Sequence, residues 1–272
     1  MCGTCGCGEH ADAITITLLK DQDKVAHNGH HHHHHPHAEV GDHHHHHHHD
    51  HTHLSAKDKV VEVEQDILRQ NDLLAARNRG FFEGRQVLAI NLVSSPGSGK
   101  TSLLERTLAD LKDERQFSVI EGDQQTFHDA NRIAAHEVPV VQINTGKACH
   151  LEAEMVHQAV QQLDPPQGST LFIENVGNLV CPAMFDLGEQ SRVVIISVTE
   201  GADKAIKYPD MFHSADLCII NKIDLLPYVD FDVEKAKDYA LQVNHHLEFI
   251  EVSATKGTGM KAWYDWLAAQ GK

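Results

Sequence analysis

No apolar run in this 272-residue chain approaches the length needed to cross a bilayer. Nothing at the N-terminus resembles a signal peptide, so export is not expected. Basic residues are scarce beside acidic ones: 23 Lys and Arg face 39 Asp and Glu, a net charge of −16 with histidine neutral. That deficit argues against non-specific binding to nucleic acid, which needs a positive footprint. Cysteine is sparse too, at six. Without an export signal these thiols are expected to serve metal rather than disulfides, and the expected compartment is the cytoplasm. Repeats are absent apart from two histidine runs. The length suffices to bury one sizeable α/β core with residues to spare.

Composition divides the chain into segments. Residues 1–10 hold a cysteine motif. Residues 11–56 are polar and histidine-loaded, lack the periodic apolar residues a core requires, and read as a disordered linker. Residues 57–83 read as a helix leading the main domain, with Ser55-Ala56-Lys57-Asp58 as its candidate capping box. Val60, Val63, Ile67 and Leu74 fall near one face of that helix, which is expected to pack on the domain. From about Gln86 to the end, apolar strand candidates lie at 87–93, 117–121, 139–143, 170–174, 192–198, 216–220 and 248–252. With helices between them they predict a mostly parallel, doubly wound α/β sheet.

Between the first of those strands and a helical pattern reaching about Lys112 stands Ser94-Ser95-Pro96-Gly97-Ser98-Gly99-Lys100-Thr101. Strand, Gly-rich turn, Lys-Thr and helix make a phosphate cradle. Backbone N–H groups from Gly97 to Ser102 would surround the β-phosphate. Lys100 would reach the β- and γ-phosphates, and the Thr101 hydroxyl would ligate Mg²⁺. The usual pattern begins with Gly where Ser94 stands here. Further on, the buried strand Leu217–Ile220 delivers Asn221-Lys222-Ile223-Asp224 at its C-terminal end, where α/β sheets bind ligands. A carboxylate at Asp224 can accept both N1–H and the exocyclic amine of guanine, donors that adenine does not pair in the same way. Ser253-Ala254-Thr255 follows a last strand as the small loop over the base. The reading is a GTP site.

Two strand ends carry acids. Asp123 and Glu174 should face Mg²⁺ and the γ-phosphate, holding the ion, its waters or the attacking water. Glu174-Asn175-Val176-Gly177 stands where regulatory GTPases have Asp-x-x-Gly, so the Gly177 N–H is placed to sense the γ-phosphate. Cys181 follows four residues later, so a loop ordered by GTP would move a metal ligand. No Gln occupies the water-positioning place, and slow turnover of GTP to GDP is expected.

The remaining motifs concern soft metals. Cys2-Gly3-Thr4-Cys5-Gly6-Cys7 places three thiols within six residues. With the Cys2 amine freed they suit Ni²⁺, with Zn²⁺ the standing rival. His30–His35 and His43–His49, extended by His27, His37, His51 and His53, are unequal runs inside an acidic linker rather than a single terminal tag. They read as a high-capacity nickel store. Cys149-His150 opens the expected helix Leu151–Leu163. Adjacent Cys and His cannot close a four-coordinate site, so Cys181 and a partner chain are candidate further donors. Cys218, inside an apolar strand, reads as a buried thiol.

Together these motifs resemble the HypB family, the GTPases that help load nickel into nickel–iron hydrogenase. The resemblance covers Met1–Cys7 and nearly all of 57–270, including Glu121-Gly122-Asp123-Gln124-Gln125-Thr126, Asn144-Thr145-Gly146-Lys147 and Glu174 through Pro182. It implies a high-affinity nickel site on Cys2, Cys5 and Cys7. It also implies a weaker Ni/Zn site on Cys149, His150 and Cys181 near a GTP-dependent homodimer interface. As partners it implies the nickel/zinc chaperone HypA, a proline-isomerase metallochaperone and the hydrogenase large-subunit precursor. Two alternatives stand beside it: a urease-type nickel GTPase, against which the N-terminal Cys motif argues, and a storage protein in which the histidines dominate.

Overall fold

The structure is a computed structural model that describes residues 14–19, 56–124 and 128–271, with the backbone alone for 56–64. Its strands are β1 (Thr15–Leu19), β2 (Leu88–Ser94), β3 (Phe117–Asp123), β4 (Val140–Asn144), β5 (Thr170–Glu174), β6 (Ser191–Ser197), β7 (Leu217–Asn221) and β8 (Glu248–Glu251). They form one sheet in the order β1-β4-β3-β5-β2-β6-β7-β8. Every pairing is parallel except that of β1 with β4. The helices are α1 (Ala56–Arg85), α2 (Lys100–Leu111), α3 (His128–Ala134), α4 (Ala153–Leu163), α5 (Cys181–Met184), α6 (Lys204–Lys207), α7 (Pro209–His213), α8 (Val233–Val243) and α9 (Met260–Gln270). A 3₁₀ helix covers Ile223–Tyr228.

The mostly parallel, doubly wound sheet expected from the sequence is the fold that forms. Strand alternation explains its two covered faces. Ile90 and Leu92 of β2 pack with Leu103, Leu104 and Leu108 of α2 and with Trp263 and Leu267 of α9. Val87 and Ala89 join Phe82 of α1 and Met155, Val156 and Ala159 of α4 on the other side. Each fully buried Leu here contributes about 1.5–3 kcal/mol relative to exposure. Trp263 satisfies its one polar atom by donating from Nε1 to Thr107 Oγ1 at 2.8 Å. Asp164 ends α4 in the left-handed conformation (φ 42°), and Pro165-Pro166 behind it cannot continue the helix. Central β2 lies between β5 and β6, and its C-terminal end opens the crevice in which such sheets seat ligands.

Two elements depart from the sequence reading. β1 lies within the segment read as linker. Its five residues pair antiparallel along β4, with Ile16 and Leu18 packed on the α4 side of the core. So short an alternation, with two threonines in its five residues, carries little periodic signal, and the edge of the sheet supplies the order. Helix α1 packs on the domain along the buried row Asn71, Ala75, Asn78 and Phe82, with Leu74 half-buried beside it, so polar side chains share the contact with apolar ones. Ile67 is 49% exposed. The asparagines are bonded across the interface. Asn71 Nδ2 donates to Asp186 O at 2.7 Å and Asn78 Nδ2 to Ala153 O at 2.8 Å, while Ala153 N donates to Asn71 Oδ1 at 2.9 Å. Ser55 lies outside the described residues, as do Val60 and Val63 as side chains.

Candidate nucleotide and thiol site

The turn between β2 and α2 is held by its own hydroxyls. Ser94 Oγ and Ser98 Oγ both donate to Ser95 O at 2.8 Å. Ser94 has no positive φ, so the place usually given to glycine needs none here. Gly99 does need to be glycine. Its φ is 93°, and a Cβ there would lie 2.5 Å from Asn221 Nδ2. That amide donates to Ser98 O at 3.0 Å, and Lys222 Nζ donates to Gly97 O at 2.7 Å. Asn221 and Lys222 therefore brace the phosphate loop. Lys204 Nζ donates to Ser95 Oγ at 3.0 Å from the far side.

Acids converge on the same opening, a cavity of about 430 Å³ lined by the loop from Ser94 to Ser102 with Glu121, Asp123, Glu174, Gly177 and Lys222. Thr101 Oγ1 donates to Glu174 Oε1 at 2.6 Å, and Lys100 Nζ stands 3.4 Å from the same oxygen. Asp123 accepts from Gln124 N at 2.7 Å. Glu121 was given no role from the sequence, yet it is 2% exposed and stands in register with Glu174 on the neighbouring strand. Burial above all, then Glu174 and Asp123, pushes its carboxyl up to about 9. Glu121 Oε2 and Glu174 Oε2 are buried with no hydrogen-bond partner. A hydroxyl, a bonded carboxylate and two orphaned oxygens beside a phosphate cradle fit a divalent cation. Gly177 backs onto this loop: a Cβ on it would sit 3.2 Å from Pro96 Cα.

On the base side, Asp224 Oδ1 accepts from Ser253 Oγ at 2.6 Å. Asn221 Oδ1 accepts from Ala254 N at 3.3 Å and from Lys222 N at 2.8 Å. Lys222 itself is left-handed (φ 63°). The turn lays the small loop against the motif and leaves Asp224 half-buried at the rim.

Beyond the acid loop the structure brings three more residues together. The Sγ atoms of Cys149 and Cys181 and a ring nitrogen of His150 lie within 4.8 Å of one another. Cys149 Sγ is 3.0 Å from Cys181 Sγ, and no disulfide joins the two. Helix α4 begins at Ala153, so Cys149 and His150 sit in the loop before it rather than opening it, while Cys181 is the first residue of α5. The His150 ring stacks on Phe185 at 4.1 Å. Both its nitrogens are buried without a hydrogen bond, and Glu152 Oε1 stands 3.5 Å from Nε2. Burial disfavours the Cys149 thiolate, but the Cys181 thiol and then the nearby His150 ring outweigh it and hold the thiol below its usual range. Burial disfavours the His150 cation, and Glu152 and Cys149 overcome it, raising that group. Two thiols and an orphaned imidazole fit a soft divalent ion with room for a further donor. Cys218 is wholly buried, and burial pushes its thiol up. Cys2, Cys5, Cys7 and the histidine runs lie outside the described residues.

Known proteins resemble this chain in sequence and fold. Residues 88–251 match the family model described as CobW/HypB/UreG, nucleotide-binding domain. The hydrogenase maturation factor HypB of Azotobacter vinelandii is 59% identical over 215 residues, covering 79% of this chain and 71% of that protein. The HypB of Escherichia coli K12 is 56% identical over 212 residues, 78% of this chain and 73% of that one. Among solved structures, the maturation factor HypB from Archaeoglobus fulgidus gives a TM-score of 0.70 at 39% identity, covering 75% of this chain and 100% of that chain. HypB from Helicobacter pylori, solved in complex with nickel, gives 0.69 at 38% identity, covering 74% and 95%. Identity of this order over most of the length, on the same fold, places the chain in the HypB family of hydrogenase maturation factors.

Proposed function

We propose that the chain is a GTP-hydrolysing nickel metallochaperone acting in hydrogenase maturation. The observation that carries this reading is the Glu174–Cys181 loop, which begins at a carboxylate bonded to Thr101 and ends at a thiol 3.0 Å from Cys149. The nickel complex of the Helicobacter pylori relative supports it.

In this reading the backbone N–H groups of 97–102 and Lys100 hold the phosphates, and Asp224 reads guanine from a position fixed by Ser253. Mg²⁺, when bound to Thr101, Asp123 and Glu174, would neutralise charge developing on the γ-phosphate. Glu174 orients water, and Gly177 presents its N–H where the γ-phosphate would lie. Without a glutamine to align the attacking water, turnover is expected to be slow, on the order of 10⁻² s⁻¹ or less. Nickel is the cargo. Cys149, His150 and Cys181 receive it, with zinc as the competing ion and a second copy of the chain as the further donor in the GTP state.

The N-terminal Cys2, Cys5 and Cys7 form a separate high-affinity nickel module, the linker 11–56 stores nickel, and 57–272 is the GTPase unit. HypA, a proline-isomerase metallochaperone and the hydrogenase precursor are the proposed partners, in the cytoplasm. No described helix is long and apolar enough to cross a membrane.

The deciding experiment is complementation of a hydrogenase-maturation mutant at limiting nickel with the full chain and with Lys100→Ala. The full chain should restore hydrogenase activity and Lys100→Ala should not. Equal rescue by both would make the chain a nickel store.

A further inference from the structure

Asparagine side chains join the two halves of the site. Asn175, fully buried, accepts through Oδ1 from Leu151 N at 3.2 Å and Val176 N at 3.0 Å. Leu151 directly follows His150. Three residues on, Asn178 Nδ2 donates to the Cys149 carbonyl at 3.3 Å, while its Oδ1 accepts from Val180 N at 2.9 Å. Between the two asparagines stands Gly177, close against Pro96 of the phosphate loop. From the other acid-bearing strand, Thr145 N donates to Asp123 O at 2.9 Å, and Thr145 Oγ1 donates to Ala148 O at 2.7 Å. The Cys149-His150 segment is thus suspended by hydrogen bonds between the ends of β3 and β5.

These suspensions differ in kind. Asn175 bonds to buried backbone on both sides, so its loss would leave orphaned N–H groups and threaten the fold. Asn178 is half-buried and makes one long bond across the gap, next to the glycine nearest the phosphate loop.

We infer that Asn178 is a positioning residue that couples the nucleotide to the thiols. Displacement of Gly177 toward or away from the phosphates carries the Asn178 amide with it, making or releasing its bond to the Cys149 carbonyl. Cys149 and Cys181 then approach or part, because the same loop that holds Asn178 ends at Cys181. No other side chain among the described residues donates from the Glu174–Cys181 loop to the backbone of Cys149. This inference rests on the reading that the chain binds GTP and nickel.

Coupling is reciprocal, so nickel must change nucleotide affinity by the factor by which nucleotide changes nickel affinity. The experiment measures binding of a fluorescent non-hydrolysable GTP analogue to the full chain in excess Mg²⁺, with and without buffered Ni²⁺. Histidine-bound nickel does not enter that readout, and Cys181→Ala gives the uncoupled reference. Asn178→Ser keeps a short oxygen for Val180 N and loses the reach to Cys149. Asn178→Asp keeps Oδ1 and loses only the donor.

For the wild-type chain, nickel should shift analogue affinity at least about fivefold. In both Asn178 variants the nickel-free affinity should be unchanged and the nickel effect should fall to that of Cys181→Ala. A full wild-type nickel effect in the Asn178 variants would overturn the assignment. So would weakened nickel-free affinity, which would place Asn178 in the nucleotide site itself. No nickel effect in the wild type would instead sink the underlying reading of a GTP-coupled nickel site.

Discussion

A methyl group on Gly99 would lie 2.5 Å from the Asn221 amide that holds Ser98, on a backbone with φ of 93°. Gly99→Ala therefore adds left-handed strain of about 1–2 kcal/mol to the fold and pushes Asn221 off the loop that would hold the phosphates. Binding of a GTP analogue measured by calorimetry should weaken at least about tenfold, and the melting temperature should fall by a few degrees. Asp224→Asn tests the base instead. It should weaken GTP by about 1–3 kcal/mol and improve XTP, whose carbonyl replaces the exocyclic amine, because an amide can donate where the carboxylate accepted. An unchanged GTP-to-XTP preference would remove Asp224 from base reading. At this scale the legible residues are those with a motif around them: Lys100 and Thr101 by the glycines before them, Asp224 by Asn221 and Lys222. Glu121 was not legible as a site residue. An acid inside an apolar strand announces neither its burial nor its register with Glu174, both of which depend on strand order.

At the scale of elements, strands showed themselves and interfaces did not. The observed ends of β2, β4, β6 and β7 fall within one or two residues of the apolar stretches. Helix α1 docks through Asn71 and Asn78 and through Arg79, which bonds both oxygens of Asp186 at 2.8 Å. Polar anchors of this kind have no hydrophobic period, so they were not legible beside the apolar residues of the same helix. Asn78→Ala leaves the Ala153 and Leu187 carbonyls without its amide and should cost about 1–3 kcal/mol in urea unfolding. The ion pair has its own pH signature. Burial raises Asp186, but Arg79 and the Gly188 N–H outweigh it and hold the carboxyl below its ordinary value. A lowered folded pKa contributes stability above the unfolded value, near pH 4, which is lost as pH falls through the folded one. The pair is partly exposed, so its contribution is about 1 kcal/mol or less. The stability difference between the chain and Asp186→Asn should hold from pH 7 to about 5 and shrink as the pH falls through the lowered pKa of the folded carboxyl. A difference independent of pH would show that packing rather than charge docks α1.

Across the whole molecule, the sheet order puts chemistry from distant parts of the sequence at one edge. Phosphate loop, acids and thiols come from the C-terminal ends of β2, β3, β4 and β5, which stand side by side. Cys149 and Cys181 could be suspected of sharing an ion from their residue types, but their contact follows from β4, β3 and β5 being consecutive neighbours. The His150 stack on Phe185 had no signal in the sequence at all. What the account claims at this scale is that occupation of the phosphate loop changes the thiol site a short loop away.

The direct measurement is the sulfur-to-nickel charge-transfer absorbance of the full chain with Cys2, Cys5 and Cys7 replaced by alanine. Cys149, Cys181 and the wholly buried Cys218 are then its remaining thiols. Titrating buffered nickel with GDP or with a non-hydrolysable GTP analogue should give midpoints that differ at least about fivefold, with the band absent in Cys181→Ala. Coincident midpoints in the two nucleotide states would contradict the account and leave a GTPase and a thiol site that merely share a chain.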